Sequence, residues 1–213
     1  MKTVIQVLMV VAILFLGWLC YESINKPLRF QKEYEFRKQK VIDRLVNIRA
    51  AQVAYKSVYN QYTGSFDTLI HFIKTDSLSM IKMEGSLTDS MIIAGMSEAQ
   101  ALKLGIIRRD TTRIAAKDSL FSGRFAIIDS MKYIPFSDGK LFDLGALFLN
   151  TASGVKVPVF EAKTPNELFL KGLNKQEIIN LDDMAEKFNK YPGVKVGSLE
   201  EANNNAGNWE ERI

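Results

Sequence analysis

Apolar residues fill positions 4–21, VIQVLMVVAILFLGWLCY, and Gln6 is the one strongly polar side chain among them. As a helix these 18 residues rise about 27 Å, close to the hydrocarbon thickness of a bilayer. Lipid offers backbone groups no partners, so a helix is the form a single span takes. Trp18 and Tyr21 close the run, where aromatic side chains favour the membrane interface. Three residues, 1–3, precede it as a short tail. Pro27 then breaks the run and can serve as the first residue of a new helix, where its missing N–H costs little.

From Pro27 to Tyr62 there is no Gly or Pro. Val41, Leu45, Ile48, Gln52, Tyr55, Tyr59 and Tyr62 follow at steps of 4, 3, 4, 3, 4 and 3, which puts all seven on one face of a helix. Residues 22–62 are therefore expected as a juxtamembrane and stalk segment, its helix about 50 Å long from Pro27. Two uses of the face stay open. It can cover a sheet in its own domain, or pack on identical or related helices with Gln52 setting register.

Thr63-Gly64 ends the stalk, and Ser65 is a suitable N-cap for a short helix burying Phe66, Leu69, Ile70 and Ile73. LSMIKM, 78–83, reads as a strand. Residues 88–104 read as two helical pieces divided at Gly95, with Ser97 and Gln100 at capping-box spacing and Gly105 as the stop. TRIAA at 112–116 is a further strand. Then MKYIPF (131–136), KLFDLGALFLN (140–150) and VKVPVFEA (155–162) alternate around Ser137-Asp138-Gly139 and Ala152-Ser153-Gly154, predicting a three-stranded antiparallel meander. Pro135 and Pro158 each favour an edge or a bulge. EIINL (177–181) and VKVGSL (194–199) are expected to add strands around a short helix at 183–189. Residues 63–202 thus form an α+β head, followed by an Asn-rich tail, 203–213.

Charge changes this picture at one place. Of a net charge of +4, residues 26–44 hold seven basic side chains against three acidic ones, so the remainder is balanced. The basic character belongs to the juxtamembrane stretch, facing lipid headgroups, and argues against nucleic acid as a partner. The apolar run lacks an A-x-A cleavage site, so an uncleaved anchor is favoured over a signal peptide. Leu19 and Trp18 before Cys20 argue against lipidation. Counting Lys and Arg around the span places the head in the cytoplasm, whereas Glu22 and the distance to Lys26 weaken that count.

Candidate chemistry is thin. His71 is the single histidine and Cys20 the single cysteine, which excludes a His-pair zinc site and an intrachain disulfide. No phosphate-cradling Gly loop or nucleophile elbow occurs. Asp182-Asp183 reads as charge at a helix N-terminus, and Arg108, Arg109, Asp110 and Arg113 as a solvated charged turn more than an anion clamp. No catalytic residue, metal or cofactor is assigned. Trp209 in NNNAGNWE is expected to dock on the domain, with glycan or partner binding as the other use.

Leu45, Ile48, Ala51 and Tyr55, with Gly64 and Phe66 beyond, resemble the L-x-x-I-x-x-A…Y…G-x-Y/F junction of type IV pilins and type II secretion pseudopilins. The likeness covers about a third of the chain. MKTVIQV lacks the Gly and Glu of the pilin processing site, so prepilin peptidase is not expected to cut it. RAAQVAYK, GSFDTL, SGVKVPVFEAK and ANNNAGNWE also resemble single-pass envelope proteins of Gram-negative bacteria. The pilin resemblance implies an α+β fold in which the membrane helix continues into a long amphipathic helix packed on a mainly antiparallel sheet. It also implies a non-enzymatic structural or adaptor subunit of a bacterial envelope assembly, linked to secretion. Such a protein sits in the inner membrane with its head in the periplasm, and meets protein partners or itself through the stalk. A membrane-tethered domain binding a small molecule, glycan or peptide is the alternative.

Overall fold

The computed structural model describes residues 2–151 and 154–210. The side chains of 2–5, 7, 80–83, 109 and 110 lie outside the described residues, as do Met1 of the expected tail and Ala152-Ser153 of the expected turn. The fold is mixed helix and antiparallel sheet. The chain forms two compact units, one made of residues 1–49 and 131–213, the other of Ala50–Ser130. The stretch taken from sequence as one head is thus shared between two units.

Helix α1 runs Lys2–Tyr59 without interruption and contains Pro27. The expected break there does not occur. Proline removes one i→i−4 hydrogen bond, leaving the Ser23 carbonyl without its helical donor, and the helix continues past it on both sides. Leu8, Ile13, Leu14, Phe15, Leu16 and Trp18 are all exposed. Among the described residues α1 is the one helix long and apolar enough to cross a membrane, which is compatible with single-pass anchoring.

In the first unit, α1 contributes Val41, Leu45 and Ile48, all fully buried. Strands β3 (Asp143–Asn150), β4 (Lys156–Pro165) and β5 (Gly193–Gly197) form an antiparallel sheet in the order β3-β4-β5. Met131, Phe142, Phe160, Ala162, Val194 and Val196 are buried with them. Two short segments, α7 (Asn166–Phe169) and α8 (Lys175–Lys187), connect β4 to β5.

The expected meander has the right second and third strands and the wrong first one. Residues 131–136 make only an isolated bridge, Tyr133 to Leu141. Their buried positions are Met131 and Ile134, a spacing of three that no strand has, and Phe136 turns to φ +63°. β5 takes the place in the sheet. EIINL is helical within α8 because Asn174 caps it, its side chain accepting from Gln176 N at 2.9 Å. The expected helix at 183–189 is the end of that same helix. Pro158 faces Phe148 of β3, whereas β5 pairs only with Glu161–Pro165. Proline therefore stands where β4 has one neighbour and a missing N–H costs no ladder bond.

In the second unit, the last turns of α1 precede α2 (Phe66–Thr75). Ser65 caps α2, accepting from Thr68 N at 3.4 Å, and Phe66, Leu69, Ile70, Phe72 and Ile73 are buried. Strands β1 (Ser77–Glu84) and β2 (Arg108–Ala115) form a two-stranded antiparallel ribbon. Between them lie α3 (Asp89–Ile93) and α4 (Glu98–Lys103), the latter with the expected capping box at Ser97 and Gln100. Helices α5 (Ala116–Phe121) and α6 (Ala126–Ser130) complete the unit.

Candidate functional site

The stalk face divides by burial. Val41, Leu45, Ile48 and Gln52 are fully buried and Tyr55 is nearly so, whereas Tyr59 is 47% exposed. Tyr62 lies beyond the helix and is buried there. Gln52 donates from Nε2 to Thr63 O at 2.6 Å and accepts from Thr63 N at 3.1 Å. A buried amide thus pairs with one backbone unit as a neighbouring strand would, and fixes the turn that follows α1. Tyr55 packs edge-on against Phe72, ring centroids 5.2 Å apart.

A polar cleft of about 550 Å³ lies in the second unit, lined by Ser57, Val58, Thr75, Asp76, Ser77, Ser79 and Arg113. The end of α1, the end of α2 and the ribbon each supply part of it. Ser79 and Arg113 face each other across β1 and β2. The Tyr59 hydroxyl donates to Asp76 Oδ2 at 2.5 Å. That hydrogen bond raises the tyrosine pKa above its ordinary value, helped by desolvation and by the Asp76 charge. Four hydroxyls, a carboxylate and a guanidinium give this cleft the means to hold a small polar ligand and nothing that resembles a nucleophile–base pair.

The first unit carries a denser charge cluster on its sheet. Asp143, Lys163 and Lys195 occupy one cross-strand row. Glu161, in the neighbouring row, has a side chain 10% exposed and sits 2.7 Å from Lys163 Nζ and 3.6 Å from Lys195 Nζ. Burying a carboxylate costs desolvation energy that paired cations offset, and the two lysines supply them. The hydrogen bond to Glu161 raises the Lys163 pKa, and burial raises that of Tyr191. Both groups favour their protonated forms more when folded than when unfolded. Their contribution is present below the ordinary values of 10.5 and 10.0 and is lost as pH rises through the higher folded values. Stability of this unit is therefore expected to fall at strongly alkaline pH, and Lys163→Met or Tyr191→Phe to flatten that slope in denaturant titrations. The i, i+2 pair Glu161/Lys163 was readable as one strand face. Lys195, 32 positions on, had no such signal.

The other candidates are scattered. His71 is exposed on α2, and Cys20 is exposed within the apolar run. Asp182 and Asp183 stand in the middle of α8 and not at its N-terminus, because the helix begins earlier than expected. Asp182 accepts from the buried Asn166 side chain at 2.8 Å. Arg108 and Arg113 lie on β2 and not in a turn; Arg113 lines the cleft, while the side chains of Arg109 and Asp110 lie outside the described residues. Among the described residues no group of His, Cys, Asp and Glu is placed to hold a metal ion. Trp209 is half-buried, its indole lying against Gly207.

No protein-family model, no curated protein and no solved structure matches this chain.

Proposed function

We propose that this protein is a non-enzymatic, membrane-anchored structural or adaptor subunit of a bacterial envelope assembly, with a pseudopilin-like body and a link to secretion. The observation that supports it is the course of α1. One helix carries an exposed apolar run and then, without a break, a fully buried face at Val41, Leu45 and Ile48. A folded unit is thereby built directly onto the anchor, and the opposite helix surface is left for neighbours. The anchor sits in the inner membrane and the head in the periplasm. The lipid bilayer, met through residues 4–21, and protein partners met through the stalk are its contacts.

The test uses the full chain in native membranes. Gln39 and Asp43 point outward on α1, so cysteines there, in a Cys20→Ser background, are expected to give disulfide-linked dimers or adducts with neighbours. A reporter fused to the C-terminus is expected to be active outside the cytoplasm. Recovery of the protein in the soluble fraction, or exclusive cytoplasmic reporter activity, refutes the proposal.

A second function, a membrane-tethered binding domain, is supported by the polar cleft of the second unit. It predicts ligand-dependent thermal stabilisation of the detergent-solubilised protein that Arg113→Ala removes.

A further inference from the structure

β5 is the last strand of its sheet, and its outer edge would present unpaired backbone groups to any extended chain. The C-terminal segment covers it. Gly197 N donates to Ala206 O at 2.9 Å, and Asn208 N donates to Lys195 O at 3.0 Å. The Asn208 side chain then imitates a further strand residue. Its Oδ1 accepts from Lys195 N at 3.2 Å, and its Nδ2 donates to Gly193 O at 2.9 Å. Val196 and Gly207 form a β-bridge. Beyond the bridge the chain is held to α1: Glu210 Oε1 lies 2.7 Å from Arg49 Nη1, and the same nitrogen donates to Asn205 O at 3.3 Å.

We infer that residues 203–210 form a releasable strap, a resident strand that occupies the β5 edge and is locked to α1 by the Arg49–Glu210 ion pair. Three observations favour release over permanent incorporation. The strap has little apolar anchorage, since Trp209 is half-buried and four of its eight residues are asparagine. Asn204 and Asn205 both hold left-handed backbone, φ +54° and +60°, a conformation that costs energy even for asparagine. The lock is solvated, with Arg49 27% and Glu210 40% exposed, so water and salt screen it.

The near end of the strap is fixed. The buried Ser198 Oγ accepts from Glu200 N and Glu201 N at 3.2 and 3.3 Å, so opening pivots after this turn. Release uncovers the N–H groups of Lys195 and Gly197 and the carbonyls of Gly193 and Lys195. That edge is then free for strand addition, and the tail competes with any incoming segment. A segment with few buried apolar contacts opens without global unfolding.

Hydrogen exchange and Trp209 emission of the full chain in detergent test this, with Trp18→Phe leaving one tryptophan. Arg49→Glu and Glu210→Arg are each expected to speed exchange at the Lys195 and Gly197 amides tenfold or more and to red-shift the emission. The global unfolding midpoint should stay in place. Combining the two remakes the ion pair with its charges reversed but not the Arg49 bond to Asn205 O, and should bring exchange part of the way back to the parent. Asn208→Ala, which leaves the ion pair intact, should speed the same two amides. Unchanged exchange in the single variants, failure of the double variant to recover, or a joint loss of protection across the whole sheet would each overturn the strap.

Discussion

Gly197→Ala is expected to destabilise the first unit by roughly 3–5 kcal/mol. Gly197 ends β5 at φ +74°, and a Cβ there would lie 2.1 Å from the Phe160 carbonyl oxygen and 3.1 Å from its carbon. Two costs combine. A left-handed backbone is unfavourable for any residue with a side chain, by about 1–2 kcal/mol. The clash is with backbone of the central strand, which has no rotamer to yield. The same residue donates to Ala206, so a shift in Gly197 also loosens the tail. Gly172→Ala is the control. Its φ is +85°, yet nothing lies within 4 Å of the added atom, so only the left-handed cost of about 1–2 kcal/mol remains. Denaturant unfolding of both variants, followed by Trp209 fluorescence, should separate strain from collision. Equal midpoints would refute the steric part.

Gln52→Leu should destabilise the second unit by roughly 2–3 kcal/mol. Leucine fills much the same volume but abandons both hydrogen bonds to Thr63. The Thr63 N–H and C=O are then left beside an apolar side chain with only partial access to water. Exchange at the Thr63 amide should accelerate by more than the global change accounts for, because the turn opens locally. Use of Gln52 as a register residue between helices of different copies predicts something else, a changed oligomeric state with the turn unaffected. The two outcomes are distinguishable in one sample by exchange and by sedimentation in detergent.

What could be read from sequence follows the range of the interactions involved. Ser65, Ser97 with Gln100, Gly95 and Gly105 were placed correctly, since caps and stops are settled within three or four residues of chain. The apolar run and the buried face of α1 were legible for the same reason, periodicity being a local property. The sheet was not. MKYIPF and VKVGSL both look like strands in isolation, and only the register of β5 against Glu161–Pro165 decides which joins β4. EIINL shows the same limit, because its β-branched content favours a strand while the Asn174 cap and the turns of α8 make it helix. Pro27 misled because the penalty of one proline is small beside the cooperativity of a 58-residue helix. The chemistry of the sites was hidden further still. Arg49 and Glu210 are 161 positions apart, and the cleft gathers residues from α1, α2 and the ribbon that share no motif.

Phe30 is already 9% exposed and stacked on Tyr34, only nine residues past Tyr21. Along a helix that interval is about 14 Å, roughly twice the depth of a lipid headgroup layer. The chain therefore has no leash. On the proposed anchoring, the first unit begins close to the bilayer and any tilt of the span passes into it directly through α1.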